Sequence, residues 1–216
     1  LEVSPDTTVF LSYEYADHER FIDRGIPTEN GVPVEALKDV VFGTKDLNLQ
    51  TLEASILKGI LSHNYSETGK LNISVTANDF SKLYKNLYAS GYDGTLVTMD
   101  GYLDPTSRES LIFSGNIVNE FSNGSTTGTV LFGYDYLDTD NKNYRYNTFF
   151  SNTEDDNEIF KVSRPMDFSV NSDGIASTVD YTTDLKSKSE SDIEVNSLYL
   201  QGDINFNDQW LSLIHI

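Results

Sequence analysis

Period-two alternation of apolar and polar side chains recurs along this chain and restricts its fold more than any other feature. Val9, Leu11, Tyr13 and Tyr15 fall on one side of an extended segment, with Thr8, Phe10, Ser12 and Glu14 on the other. The pattern returns as Leu71, Ile73, Val75 and Ala77 against Asn72, Ser74, Thr76 and Asn78. It returns again as Leu111, Phe113, Gly115 and Ile117 against Ser110, Ile112, Ser114 and Asn116. Val130, Phe132, Tyr134 and Tyr136 oppose Thr129, Leu131, Gly133 and Asp135, and Leu198, Leu200, Gly202 and Ile204 oppose Tyr199, Gln201 and Asp203. Successive side chains of a strand point to opposite faces, so each run predicts a strand with one greasy side. Residues 51–65 are less regular. Ile56-Leu57 and Ile60-Leu61 also suit a short helix, and the neighbouring strands decide for strand.

The connections predict how these strands are joined. Short turns are expected at 66–70, 122–127 and 207–208, and long segments at 21–50, 84–108 and 138–191. Within the second long segment the chain is Tyr-rich and mostly extended, with turn signals at Ser90-Gly91 and Asp93-Gly94. The two kinds of connection alternate strictly. Such alternation predicts an all-β, antiparallel, up-and-down transmembrane β-barrel, here a partial wall of about six to eight strands with long extracellular loops. A closed barrel pairs its backbone groups between strands and can therefore cross hydrocarbon. Tyr13, Tyr15, Phe121, Tyr134 and Tyr136 stand at the ends of apolar faces, as an aromatic girdle would. A soluble antiparallel sandwich, with the apolar face turned inward, gives the same alternation.

Charge and composition narrow the partners. Acidic residues number 34 against 15 basic ones, a net charge of -19. That excess argues against nucleic acid, which needs Lys and Arg to neutralise phosphates. There is no Cys, and the three His, at 18, 63 and 215, are scattered. A His or thiolate metal centre is therefore not expected. No stretch reaches the ~20 apolar residues of a spanning helix, a length that barrel strands do not need. The chain opens at Leu1 without an initiating Met and closes in LSLIHI. Both ends read as artificial, with residues 212–216 a non-native tail.

Two stretches carry a sharper signal. From Val97 to Tyr136, Asp100-Gly101-Tyr102, Asp104, Thr106 and Arg108 precede a turn, and Val130-Leu131, Gly133, Asp135 and Tyr136 follow it. From Tyr13 to Gly43, Asp23-Arg24-Gly25-Ile26-Pro27 is followed by Asn30-Gly31, Pro33 and Phe42-Gly43. This set resembles TonB-dependent siderophore receptors, as do FSKLYKNLYASGYD and LYLQGDINFNDQW further along. Gly128 departs from the family's pattern, where a His is usual. The motifs are individually soft, but they cover most of the chain in the family's order. The resemblance implies a cell outer membrane location in a Gram-negative bacterium and contact with outer-membrane lipid. It also implies a barrel of about 22 strands with an N-terminal plug, and TonB as a partner through that missing N-terminal region. Residues 1–216 would then be part of the barrel domain, without the plug.

The resemblance also implies a ligand. Such receptors bind ferric siderophores, usually anionic chelates, in a vestibule lined by Arg and aromatic side chains. The iron arrives with the ligand, so no cofactor is expected. The candidates for ligand binding are Arg20 and Arg24 on the first long segment and Tyr84, Tyr88 and Tyr92 near the second. Arg offers charge and a planar donor fork, and aromatic rings pack on chelate rings. The carboxylates of 135–158, among them Asp135, Asp138, Asp140, Glu154, Asp155, Asp156 and Glu158, lack the Gly-anchored spacing of a calcium loop and read as hydrated surface. Ser62-His63 are adjacent and would point to opposite strand faces, so no catalytic set emerges and an enzyme is not expected. A receptor for vitamin B12 or an oligosaccharide, or a secreted β-sandwich binding module, remain the alternatives.

Overall fold

A computed structural model of the chain describes residues 1–206 and 210–215. Its strands are β1 (Glu2–Ser4), β2 (Thr7–Phe21), β3 (Thr28–Glu29), β4 (Val32–Pro33), β5 (Leu49–Asn64) and β6 (Gly69–Tyr92). They continue as β7 (Leu96–Asn123), β8 (Thr126–Phe150), β9 (Asn157–Lys161), β10 (Val179–Phe206) and β11 (Trp210–His215). One 3-10 turn, Glu35–Leu37, is present among the described residues. A single sheet runs in the order β1-β2-β5-β6-β7-β8-β10-β11, antiparallel throughout. Each long strand therefore pairs with the next long one in the chain, the up-and-down topology expected of a barrel wall. The strand β9 takes over the edge of β7 at Leu96–Asp100, beyond the point where β8 leaves it.

The tight turns after β5 and β7 fall where the glycines and short polar residues predicted them, and Gly124 takes a left-handed φ of 63°. The predicted turn at 207–208 lies outside the described residues. Residues 84–108 correct the expectation of a long loop. They form a hairpin in which β6 runs to Tyr92 and β7 begins at Leu96. Asp93 closes it by accepting the Thr95 and Leu96 amides at 2.8 and 2.7 Å. Residues 138–191 are likewise strand at both ends, leaving 151–178 as the connection that carries β9. Within these extensions residues 104–109 and 138–147 carry polar side chains on both faces, so they lack the apolar alternation that marks a strand in sequence.

Register fixes the two faces. Val9, Leu61, Ile73, Gly115, Tyr134 and Leu198 stand opposite one another across six strands. The adjoining row on that face is Leu11, Gly59, Val75, Phe113 and Tyr136. Directly opposed residues of antiparallel strands project to the same side, so the apolar faces merge into one continuous band. The band is bare: Leu11 is 73% exposed, Leu198 69% and Phe132 50%. The second sheet among the described residues is only the two-residue pair β3–β4, too small to cover such a band as a sandwich would. The irregularity of residues 51–65 also resolves here. Leu57 and Leu61 belong to the band, while Ile56 and Ile60 project from the opposite face.

The buried core lies beyond the band, at the end of the long connections. Leu37, Val40 and Phe42 from the first connection and Phe160 and Met166 from the second enclose Leu87, Val97, Met99 and Phe150 of the strands. Alternation is unbroken from Val75 to Leu87 and from Met99 to Leu111. Leu87 and Met99 therefore project from the same side as the band. The connections are pinned there by specific bonds. Asn48 donates from Nδ2 to the Leu87 carbonyl at 2.7 Å. A side chain at Gly43 would collide with the Asn48 amide, which a Cβ would meet at 2.2 Å. Arg164 donates to the Ala36 carbonyl at 2.9 Å, joining one connection to the other. The buried Glu158 accepts from Asn152 at 2.8 Å, from Asn171 at 3.0 Å and from Ser177. Those donors satisfy a carboxylate that would otherwise be costly to bury.

Candidate ligand platform

On the opposite side of the β6–β7–β8 extension, away from this core, alternation gathers a polar and aromatic cluster. Tyr84 stands opposite Asp104, Asn86 opposite Tyr102, and Tyr88 opposite Asp100. The Tyr84 and Tyr102 rings stack with centroids 5.9 Å apart and planes at 26°. Tyr88 meets Tyr102 edge-on at 6.4 Å. These separations fall within the range in which aromatic pairs attract. Close approach of the strands here depends on Gly101, where a Cβ would lie 2.3 Å from the Asn86 carbonyl oxygen.

Two guanidinium groups enter this cluster. Arg24, three residues past the end of β2, lies 4.2 Å from the Tyr88 centroid and 5.6 Å from that of Tyr102. It donates from Nη1 to Asn86 Oδ1 at 3.2 Å and to the Tyr102 hydroxyl at 3.4 Å. Both acceptors are neutral, and Arg24 forms no ion pair among the described residues. Arg145 of β8 lies 4.3 Å from the Tyr102 centroid. Its charge is met by Asp104 through two bonds, Nε to Oδ1 at 2.7 Å and Nη2 to Oδ2 at 2.5 Å. Arg145 is thus paired in place, whereas Arg24 makes no direct ion pair and feels the Asp100 carboxyl at longer range.

Burial sets the titration of the adjoining groups, which lie well past the apolar band. The Tyr88 phenol is pushed up to about 12, chiefly by burial and then by its hydrogen bond to Asp100. That bond runs from the hydroxyl to Asp100 Oδ2 at 3.0 Å. The Asp100 carboxyl is itself raised by burial, against the opposing effect of the Tyr88 and Gly101 donors. Tyr88 therefore remains a protonated donor at neutral pH.

Of the five residues singled out from sequence, Arg24, Tyr84 and Tyr88 come together in this cluster. Arg20 lies on β2, two strands from Tyr84, in the register row Arg20, Gln50, Tyr84, Asp104, and donates to Gln50 Oε1 at 2.8 Å from Nε. Tyr92 lies apart, beyond the irregularity between Ala89 and Gly91, and packs against the buried core. Sequence reasoning did not single out Tyr102, Asp104, Asn86, Asp100 or Arg145. Tyr102 and Asp104 carried a signal, since Asp100-Gly101-Tyr102 and Asp104 form part of the receptor-like motif. Arg145 had none, lying in a stretch read as loop. Among the described residues, no group of three or more His, Asp or Glu is arranged to hold a metal ion.

No protein-family model matches the chain, and no curated protein matches it. Among solved structures it is similar to the siderophore receptor PiuA from Acinetobacter baumannii, with a TM-score of 0.61 and 17% sequence identity. The match covers 95% of this chain and 32% of that one. The chain therefore spans about a third of the length of that receptor, and the likeness is one of fold. What the two share is an antiparallel, up-and-down β-barrel wall, present here as an unclosed sheet.

Proposed function

We propose that this chain forms part of the wall and outer loops of a TonB-dependent receptor in the outer membrane of a Gram-negative bacterium, and that the receptor takes up ferric siderophores. The observation that carries the reading is the exposed apolar band. Bare Leu11, Phe132 and Leu198 make little sense facing water as one continuous surface. Facing hydrocarbon, they need no cover. In β7 the band runs from Leu111 to Phe121, close to the ~9–11 residues with which a tilted strand crosses a bilayer. With Tyr13 and Tyr136 toward one rim and Phe121 toward the other, rings would stand at both headgroup layers.

The rest of each long strand would then project beyond the bilayer. The strand β7 has 28 residues, or about 90 Å at strand rise. The core formed with the long connections would lie outside the cell, and the Arg24–Tyr88–Tyr102 cluster would face the barrel interior. Such an interior platform suits capture of a ligand at the surface. In this reading the protein is a receptor and transporter and carries out no catalysis. Its iron arrives as cargo, and TonB acts through a region outside this chain.

The test uses the full-length protein that contains this segment. Deleting its gene should abolish growth on a ferric siderophore as the iron source and spare growth on ferrous iron. Unchanged growth on every ferric siderophore, with loss of growth on vitamin B12 or an oligosaccharide, would reassign the nutrient.

A further inference from the structure

The side of the sheet that bears the apolar band changes character where the band meets the long-connection end. Its last apolar row is Tyr13, Leu57, Ala77 and Leu111, and that row ends in Asp138 and Glu194. The next row on the same side is Tyr15, Ser55, Asp79, Glu109, Asp140 and Asp192. Six carboxylates thus stand in two adjoining rows, four of them side by side on neighbouring strands. Like charges directly opposite one another weaken strand pairing. The ion pair of Asp140 with Lys142 at 3.4 Å is the one that these six form among the described residues. At the same height the other side of β6, β7 and β8 holds Asn78, Ser110 and Thr139, then Phe80, Arg108 and Asn141. The carboxylates of these strands are therefore sorted to the band side and do not merely follow from the acidity of the chain. Leu57, Ala77 and Leu111 also floor a groove, where the small Ala77 lies between larger neighbours. Tyr13 stands at one end of it, Asp138 at the other, and Asp79, Glu109 and Asp140 along its rim.

We propose that this groove seats an outer-leaflet lipid whose headgroup carries an ammonium group. An acyl chain lies on Leu57, Ala77 and Leu111, and the ammonium lies among Asp79, Glu109 and Asp140. The proposal rests on the reading of this sheet as a barrel wall and specifies which lipid lies against it. Floor and rim are two residues apart along each strand, or about 7 Å, a step suited to the passage from acyl chain to headgroup. An ammonium group offers three donors to carboxylate oxygens that only accept, and it relieves the repulsion between them. A headgroup whose charge is phosphate alone would bring negative charge against the same row and be repelled. At the margin of hydrocarbon such charge contacts are screened less than in open water.

The full-length protein is placed in phosphatidylcholine nanodiscs doped equally with phosphatidylethanolamine and phosphatidylglycerol of the same acyl chains, in one arm with a chelator and in the other with magnesium. Native mass spectrometry reads the lipids that stay bound on release. The ethanolamine lipid is expected to be retained about tenfold over the glycerol lipid, as contact with two or three carboxylates would give. Glu109→Gln combined with Asp140→Asn should even that ratio. Ala77→Leu, which fills the groove and leaves the carboxylates in place, should lower retention of the ethanolamine lipid. Heat-modifiable gel mobility reports whether each variant is folded. Equal retention of the two lipids by the wild type, or a double variant that keeps the wild-type ratio, overturns the proposal and leaves the wall reading standing. Preference for the glycerol lipid in either arm does the same and, in the magnesium arm, assigns the row to bridging cations. Folded protein that retains no lipid overturns both.

Discussion

The guanidinium of Arg24 lies 4.2 Å from the centroid of the Tyr88 ring and reaches the side chain of Asn86 on the same strand. Arg24 belongs to the connection after β2, whereas Tyr88 stands near the tip of the β6–β7 hairpin. Two parts of the chain more than sixty residues apart thus meet on one face, with Tyr102 as their common neighbour.

Tyr102 is the centre of that cluster, since both guanidiniums and both other tyrosines touch its ring. Tyr102→Leu removes one of the two acceptors of Arg24 and the surface beneath Arg145. Ligand affinity should fall by about five- to tenfold, in line with one lost cation–π and one lost aromatic contact. Circular dichroism and heat-modifiable mobility should stay at wild-type values, because the ring is not part of the buried core.

The buried core makes the opposite prediction. Phe160 is fully buried against Phe150 and Phe168. Phe160→Ala should cost about 3–5 kcal/mol of local stability by leaving a cavity. The sheet below has its own pairing, so the loss should appear as proteolysis within residues 151–178 while the strands stay protected. Limited proteolysis read by mass spectrometry tests this.

Asp180 supplies a pH dependence. Its carboxylate accepts from the Tyr181 amide at 2.7 Å, the Thr182 amide at 3.0 Å and the Thr183 amide at 2.8 Å, as well as from both threonine hydroxyls. These donors, with the Thr183 hydroxyl foremost, lower its value to about 2. A folded value below the unfolded one of about 3.9 stabilises the fold above pH ~4, and the gain is lost as pH falls toward 2. Wild type should therefore protect the amides of 181–183 from hydrogen exchange better than Asp180→Asn at pH 6. The difference should shrink below pH 4 and vanish near pH 2.

How much of this was legible in the sequence depended on whether a residue faced the band. Val9, Leu71, Phe113, Phe132 and Leu198 alternate with polar neighbours, and the strands through them were placed correctly, as was the single apolar face. Residues 104–109 and 138–147 are strand as well, but both of their faces meet water, so no hydrophobic period marks them. Their strand pairing comes from the register continued out of the band, a tertiary effect that local pattern does not encode. Tyr92 keeps the sequence phase of Tyr84 and Tyr88. The irregularity after Ala89 breaks that phase and sends it to the core. Arg145 was hidden because its partner Asp104 lies 41 residues away across β7 and β8.

The central claim is that the bare apolar face meets lipid while the other face meets an enclosed, watery interior. Residues 1–216 contain no Cys; with any cysteine elsewhere in the full-length protein replaced, single cysteines are placed one at a time from Val130 to Tyr136 and spin-labelled in bilayers. Labels at 130, 132, 134 and 136 should be quenched by oxygen dissolved in the hydrocarbon, and labels at 131, 133 and 135 by a water-soluble paramagnetic reagent. Uniform access of the water-soluble reagent to all seven positions, with no alternation, would contradict the account.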